Sequence, residues 1–571
     1  MQLSCYSNDF DNFIKAKILQ IIKTPANFDL GSKLVLHQEL VLPPFPSTTF
    51  NHFSDWECNP FGNRSWQWKL NWFAFIPGLI AYFDKSKDDM AIQLAVKGIK
   101  NWITRYIYSD KNHTFEFIWH DHGTALRAEQ LVLFYYYYQQ YYTKQSTQLE
   151  SLTEVLQDTL EIHGEKLSSE VFYSSNTNHG LEQSRVLLLL SIVLKGPKAT
   201  VWRQLAIERI SNELKHAFTD EGIHVENSPA YHIFVFKVFI NILHQYKNYL
   251  PENLNNKFSK ISEKALIFIT HIIRPDGNLP PVGDTEQLTS TDGYFHAYKD
   301  KEQYKNTLYS LRMGKQGLKP TVNNRVFPLS GYSIFRNFWP SQEHYDYPLH
   351  IIIKTGSLSH YHYHKDEGHI SVFGAGEDWL IDSGLYNYNE DSDMRRYVRS
   401  RQAHNVVLFT DSDYSPDKNH RLSNWRITNY SENDSNPFVD MEINVIENIH
   451  QRRIVNFNAL TSELSINDFI SSNNGNEEDM IIQWHFPEDK KIDITEEEIS
   501  ISSTTGNKMT LKITGDKPDK IDVIKGIIGD TIYSCQSCTS NNYRPSQVIL
   551  LKFDKRNILK TNCKFTLESY H

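Results

Sequence analysis

The sequence predicts an α+β multidomain protein. Its N-terminal part reads as an (α/α) toroid or another multi-helix array, and its C-terminal part as an antiparallel β-sheet or β-sandwich. Three observations carry this. The chain has 571 residues, more than one ordinary core holds. Apolar residues recur every three to four positions up to about residue 320. From about residue 325 the apolar period falls towards two. The polar stretch KPTVNNR separates the two regimes, so the expected domains are 1–324 and 325–571.

In the first part, GTALRAEQLVLFYYYYQQYY (123–142) reads as a long, mostly buried helix. HGLEQSRVLLLLSIVLKG (179–196) is a second helix, ending near Gly196 with a proline behind it. Trp202, Leu205, Ala206, Ile210, Leu214 and Ala217 mark an amphipathic third. ISEKALIFITHIIRPDGNLPP (261–281) is a helix stopped by a Pro-Asp-Gly turn. In the second part, FPLSGYSIFRN (327–337), LHIIIKTGS (349–357), HISVFGAGEDWLIDSG (369–384), RIVNFNA (453–459), DMIIQWHF (479–486), KMTLKITG (508–515) and QVILLKF (547–553) are strand-like, with Gly, Asn and Asp between them.

Composition narrows the function classes. Hydrophobic residues make up 40% and charged residues 22%, which is globular rather than disordered. The formal net charge is −9 and no long Lys/Arg block occurs, so a nucleic-acid partner is not expected. Aromatics reach 13%. Tyr and Trp suit sugar faces, although composition alone favours a large aromatic core. The five cysteines are too few and too odd for a disulfide scaffold; Cys535 and Cys538 form a CxxC that reads as two structural thiols. No apolar run has the length of a membrane span. The N-terminal segment lacks the basic-then-apolar order of a secretion signal, so a cytoplasmic location is expected, or a periplasmic or secreted one if a signal has been removed.

The chemistry-bearing residues gather in a few motifs. Residues 360–369 read HYHYHKDEGH. If this run is a strand, His360, His362, His364 and Asp366 share one face. His364, Asp382 in LIDSG and His404 in RQAHN offer the donors that zinc takes, against the plainer reading of polar strand faces. Asn178 and His179 open NHGLEQSR, with Glu182 at i+3 from His179 on the same helix face. ENSPAYH (226–232) carries Tyr231 and His232, a pair of proton-donor and proton-acceptor types. Arg127, in WHDHGTALR (119–127), reads by itself as an ordinary surface or ion-pair arginine.

Taken in order, Trp119 and Arg127, NHGLE (178–182), ENSPAYH (226–232), RPDGNLPPVGDTE (274–286), FPLSGYSIFR (327–336), HYHKDEGHISVFGAGEDWLIDSGLY (362–386) and RSRQAHNVV (399–407) resemble the heparinase II/III-like polysaccharide lyases, a group that includes related alginate lyases. The resemblance implies a helical toroid followed by an antiparallel β-sandwich. It implies β-elimination on a uronic-acid glycan, in which C5 loses its proton, the 4-linked oxygen leaves and a C4=C5 double bond forms. Such chemistry needs donors on the substrate carboxylate, a base on C5 and an acid on the leaving oxygen.

Carried over by position, the resemblance implies that Asn178 or His179 meets the carboxylate, with His179 alternatively the base. Tyr231 becomes the general acid and in many members also the base, with Arg127 or His362 as nearby positive charge. His362 becomes the cleft histidine of the sandwich, while Arg127, Glu182, Tyr386 and His122 are implied on the substrate. His364, Asp382 and His404 match the ligands of a structural zinc ion, with calcium the alternative metal. His360 and Asp366 are left as supporting or surface polar groups. No organic cofactor is implied, the expected partner is an anionic uronic-acid polysaccharide or oligosaccharide, and a homodimer stays open. Two other functions compete. One is a catalytically silent glycan binder on a lyase scaffold. The other is a glycoside hydrolase using two of Glu182, Glu226 and Asp284, which leaves the His/Tyr set unexplained.

Overall fold

A computed structural model describes residues 1–571 except 1, 4–7, 51–52, 54, 110–112, 143–147, 288–294, 296–297, 342–347, 411, 413, 416, 474, 529 and 570–571. Cys5 lies outside the described residues. The chain divides into two compact units, Met1–His216 and Ala217–His571.

The first unit is helical. Its longer helices are Asn8–Lys23, Asp89–Tyr106, Asp121–Tyr137, Gln148–Ser168, Asn178–Val193 and Pro197–Ala217, the last ending at the unit boundary. The Asp121–Tyr137 helix is buried on nearly every side and continues as a π-helical turn over Tyr138–Tyr142. A run of Leu, Val, Phe and Tyr without a polar face has no side to give to water, so it takes the centre of the unit. The Asn178–Val193 helix packs against it. Between them, Arg185 donates to both oxygens of Glu129 at 2.9 and 2.7 Å in a buried pair.

The second unit begins with three helices, Pro229–Tyr246, Glu252–Ile272 and Glu302–Leu311. The Pro-Asp-Gly turn follows the second, with Gly277 at φ +77°. A five-stranded antiparallel meander comes next, Arg325–Phe327, Tyr332–Arg336, His350–Lys354, His369–Gly374 and Glu377–Leu380, paired in sequence order. An eight-stranded and a second five-stranded sheet complete the unit, their strand pairs again antiparallel. Phe335, Ile351 and Ile370 from the meander, Met441 and Val455 from the large sheet, and Trp484 and Leu551 from the third share one buried apolar cluster. Each predicted strand-like run overlaps at least one observed strand, because alternating apolar residues have one face to bury.

One expectation about local structure fails. Residues 355–368 are a loop between the His350–Lys354 and His369–Gly374 strands, so the alternating histidines do not share a strand face. His362 stands at φ +52°, a left-handed conformation that ends the extended geometry there. Asp366 is also no surface group. It is fully buried and takes both Nζ hydrogen bonds of buried Lys354, at 3.0 and 2.8 Å. His360 is exposed. The far end of the loop is pinned from the large sheet. Arg453 pairs with Asp468 directly across the strand register and donates to the Gly368 and Asn405 carbonyls at 2.7 and 3.1 Å.

Candidate active site

In the second unit the site is built where a helix start meets the histidine loop. Ser228 caps the Pro229–Tyr246 helix and Pro229 occupies its first turn, so the proline in ENSPAYH starts a helix rather than breaking one. Asn227, at φ +60°, donates to the carbonyls of Ser359 and Tyr361 at 2.8 and 3.0 Å and accepts from the Leu358 N–H at 2.9 Å. The helix start and the loop are thereby tied together. The next side chain of interest, Tyr231, then faces the loop, its ring stacked on His362 at 3.5 Å between centroids and 22° between planes. His232 does not join it. That ring is buried in the core, accepts from the His224 N–H at 3.1 Å and is pushed down to about 3, mainly by burial.

Asp284 is the buried centre of this arrangement. It follows Gly283, whose φ is +57° and where an added Cβ would stand 3.0 Å from the Asn227 carbonyl oxygen. His362 Nδ1 donates to Asp284 Oδ2 at 2.8 Å, and His364 Nε2 to Oδ1 at 2.7 Å. Arg395 adds a two-pronged pair, at 2.6 Å to Oδ1 and 2.9 Å to Oδ2. Burial alone would raise this carboxyl, but His362, His364 and Arg395 together hold it well below the usual carboxylate range. The remaining nitrogen of His362, Nε2, lies 3.4 Å from Glu226 Oε2. The Tyr231 hydroxyl donates to the Tyr388 hydroxyl at 3.0 Å. Burial chiefly, seconded by the carboxylates of Asp284 and Glu226, raises Tyr231 above the ordinary tyrosine value, while Tyr388 and Arg395 pull the other way.

His364, Asp382 and His404 come together as expected. They are buried, with one ligand-type atom of each within 4.8 Å of the others. His404 Nδ1 lies 3.2 Å from Asp382 Oδ2, and the Gly384 N–H donates to Asp382 Oδ1 at 2.9 Å. His364 Nδ1 and His404 Nε2 are buried without a hydrogen-bond partner. Two buried histidines grouped with a carboxylate, each with one imidazole nitrogen left unpaired, are a donor set that fits a metal ion. The His364 nitrogen opposite the orphan is the one bound to Asp284, the outer carboxylate that metal-ligating histidines ordinarily carry.

The first unit holds a similar motif. His179 Nδ1 bonds Asp121 Oδ2 at 3.0 Å, and Asp121 also accepts from Ser174 Oγ at 2.6 Å and from the His122 N–H at 2.6 Å. Burial opposes ionisation of Asp121, but His120, His179 and Ser174 keep it well below its usual range. The His122 ring lies 4.6 Å from that of His179 and is pushed down to about 4, chiefly by burial. Asn178 is the first residue of the helix, whose cap Thr177 accepts from the Gly180 N–H at 3.1 Å. Glu182 is turned to Arg185, 2.8 Å from its Nε.

Two expected residues stand elsewhere. Arg127 is neither a surface group nor open to a ligand. It is fully buried, donates to His163 Nε2 at 3.0 Å and to the Asn71 and Ile118 carbonyls at 3.0 and 2.6 Å, and lies 4.0 Å over the Trp102 ring. It braces the inside of the helical unit. Tyr386 packs on the Met394, Tyr397 and Cys535 cluster with its ring 5.8 Å from Tyr543, while Tyr388, two residues on, meets Tyr231. Sequence reasoning passed over Asp121, Tyr388 and Arg395, and placed Asp284 only among hydrolase carboxylates. Asp121 was signalled by its flanking histidines in HDH, and Tyr388 by the YNY repeat. Cys535 and Cys538 are unpaired, and burial raises both thiols, Cys535 to about 12.

Comparison with known proteins gives the family and the fold. Residues 27–306 match the family described as Heparinase II/III N-terminus, and residues 319–562 match Heparinase II/III-like, C-terminal. A heparin-sulfate lyase of Pedobacter heparinus is 19% identical over 525 residues, covering 88% of this chain and 75% of that protein. A heparin-sulfate lyase of Bacteroides stercoris is 25% identical over 277 residues, covering 46% of this chain and 40% of the relative's length. The solved heparan sulfate lyase of Pedobacter heparinus superposes with a TM-score of 0.75 at 15% identity, over 96% of this chain and 84% of that one. The fold expected from the sequence, a helical toroid followed by an antiparallel β-sandwich, is thus the observed one. With family matches spanning both the helical part and the sheets, the chain belongs to the heparinase II/III family.

Proposed function

We propose that this protein is a polysaccharide lyase that cleaves a uronic-acid glycan by β-elimination and leaves a 4,5-unsaturated uronate end. The observation that carries the reading is the Tyr231–His362 stack backed by Asp284. His362, with Nδ1 committed to Asp284, offers Nε2 to the C5 proton. Glu226, 3.4 Å from Nε2, stabilises the imidazolium that results. The C5–H electron pair becomes the C4=C5 double bond as the C4–O bond breaks. Tyr231, kept protonated chiefly by burial, gives its proton to the departing oxygen, and Tyr388 hydrogen-bonds the phenol. The family resemblance implies that Asn178 or His179 neutralises a substrate carboxylate, with His179 alternatively a base.

The hydrolase reading loses its acids. Asp284 is tied up by three donors and Glu182 is paired with Arg185, so neither carboxylate is open to a glycosidic bond. We assign the metal as zinc, held by His364, Asp382 and His404. When bound, it supplies a cross-link between the histidine loop and the segments carrying Asp382 and His404. The expected domain division at 324/325 and a cytoplasmic location belong to the same proposal.

The test is ultraviolet absorbance during incubation with heparan sulfate, heparin, hyaluronan, chondroitin, alginate and bacterial capsular polysaccharides. The relatives are heparin-sulfate lyases, which puts heparan sulfate first. A rise from the conjugated uronate is expected with at least one of them. Reducing ends appearing without that rise would return the hydrolase reading.

A further inference from the structure

We infer that Asp284 is a positioning residue that orients two imidazoles of different purpose, with Oδ2 serving His362 and Oδ1 serving His364. The inference rests on the lyase reading for the role of His362. Its geometric part stands without that reading, because it concerns how one buried carboxylate is shared.

An imidazole is useful at one nitrogen only when its other nitrogen is fixed. His362 must present Nε2, and bonding Nδ1 to Asp284 selects that tautomer and locks the ring. His364 needs the reverse. Its Nε2 carries the hydrogen given to Asp284, which leaves Nδ1 as the lone pair of a ring grouped with His404 and Asp382, and that nitrogen is the buried one without a partner. Two residues apart in a loop, the rings are held in opposite tautomers by the two oxygens of one side chain. His362 alone has a left-handed backbone, which turns its ring to Tyr231 while His364 stays buried.

Nothing else can take this place. Asp284 is 1% exposed, so water does not substitute for it, and Arg395 caps it from the remaining side with both terminal nitrogens. The arrangement makes metal retention and turnover share a dependence on one residue that, on this reading, touches neither metal nor glycan.

The test is Asp284→Asn in the full chain. An amide has one acceptor oxygen, so it can serve one histidine and must turn an N–H towards the other. The expected result is a fall of about 10- to 100-fold in kcat with KM changed less than about threefold, together with a fall of about 10- to 100-fold in zinc affinity measured by competition with a chelator. A merely structural aspartate would lower the melting temperature and leave both values of the folded enzyme near wild type; that outcome overturns the proposal. If the variant does not fold, tautomer states in the wild-type chain, read by nitrogen NMR after selective histidine labelling, decide. His362 protonated on Nδ1 and His364 on Nε2 support the proposal, and any other pair overturns it. Should no glycan be cleaved by the wild type, the zinc affinity and tautomer readings still test Asp284, and only the lyase reading fails.

Discussion

The ring of Tyr231 lies flat on the ring of His362, 3.5 Å between centroids, although 131 positions separate them along the chain. One comes from the third position of a helix and the other from a loop between two strands. The stack brings a phenol ring and an imidazole ring face to face.

Tyr231→Phe keeps the stacked ring and removes only the hydroxyl. Turnover should fall by about 100-fold or more, the usual weight of a positioned acid, while glycan binding changes little. Initial rates at saturating substrate and a binding isotherm on the same preparation check this. A variant with wild-type turnover would remove Tyr231 from the reaction.

Tyr388 and Tyr386 should separate cleanly. Tyr388 hydrogen-bonds the Tyr231 hydroxyl, so Tyr388→Phe should lower kcat by about tenfold with little change in melting temperature. Tyr386 sits in an apolar cluster, so Tyr386→Ala should destabilise the fold instead. The reverse pattern would restore Tyr386 to the site.

The buried Lys354–Asp366 pair should be costly to halve. Both side chains are 0% exposed, so Lys354→Met leaves an uncompensated buried carboxylate, at a cost of about 3–5 kcal/mol. Adding Asp366→Leu should return much of the loss. Chemical denaturation of the two variants measures it, and equal stability of the single and double variants would contradict the assignment.

Acid should weaken the fold before it touches most carboxylates. Burial chiefly pushes His163 and His232 down to about 3, from 6.5 in an unfolded chain. Between those values the unfolded state binds protons that the folded state refuses, so stability falls as pH drops below about 6.5. Each histidine contributes about 2 kcal/mol to the loss between pH 7 and pH 5. Urea unfolding at both pH values tests this, and a flat profile would mean the rings are protonated in place.

Chelation should lower the melting temperature of the metal-loaded protein, because His364 and His404 each leave a buried nitrogen without a partner. Elemental analysis should find one zinc per chain, absent from His404→Ala. An identical melting curve with and without chelator would make the group a polar cluster only.

Periodicity disclosed the change from helices to strands and several of the longer elements, because burying one face of an element demands a repeating pattern that survives in one dimension. Motif order carried the family, and with it the expected roles of His179, Tyr231 and His362 and the candidate metal group His364, Asp382 and His404. What the sequence did not disclose was direction. The HYHYH run alternates like a strand, yet its backbone turns left-handed at His362, so its histidines do not share one strand face. Arg127 looked like a surface cation, and only the packed helices show it enclosed by carbonyls and a tryptophan. Asp284, a carboxylate like many others in the chain, became the centre only when the fold brought His362, His364 and Arg395 onto it from 78, 80 and 111 positions away. Hydrogen bonds depend on distances and angles between groups, and those are set by tertiary packing rather than by the order of residues.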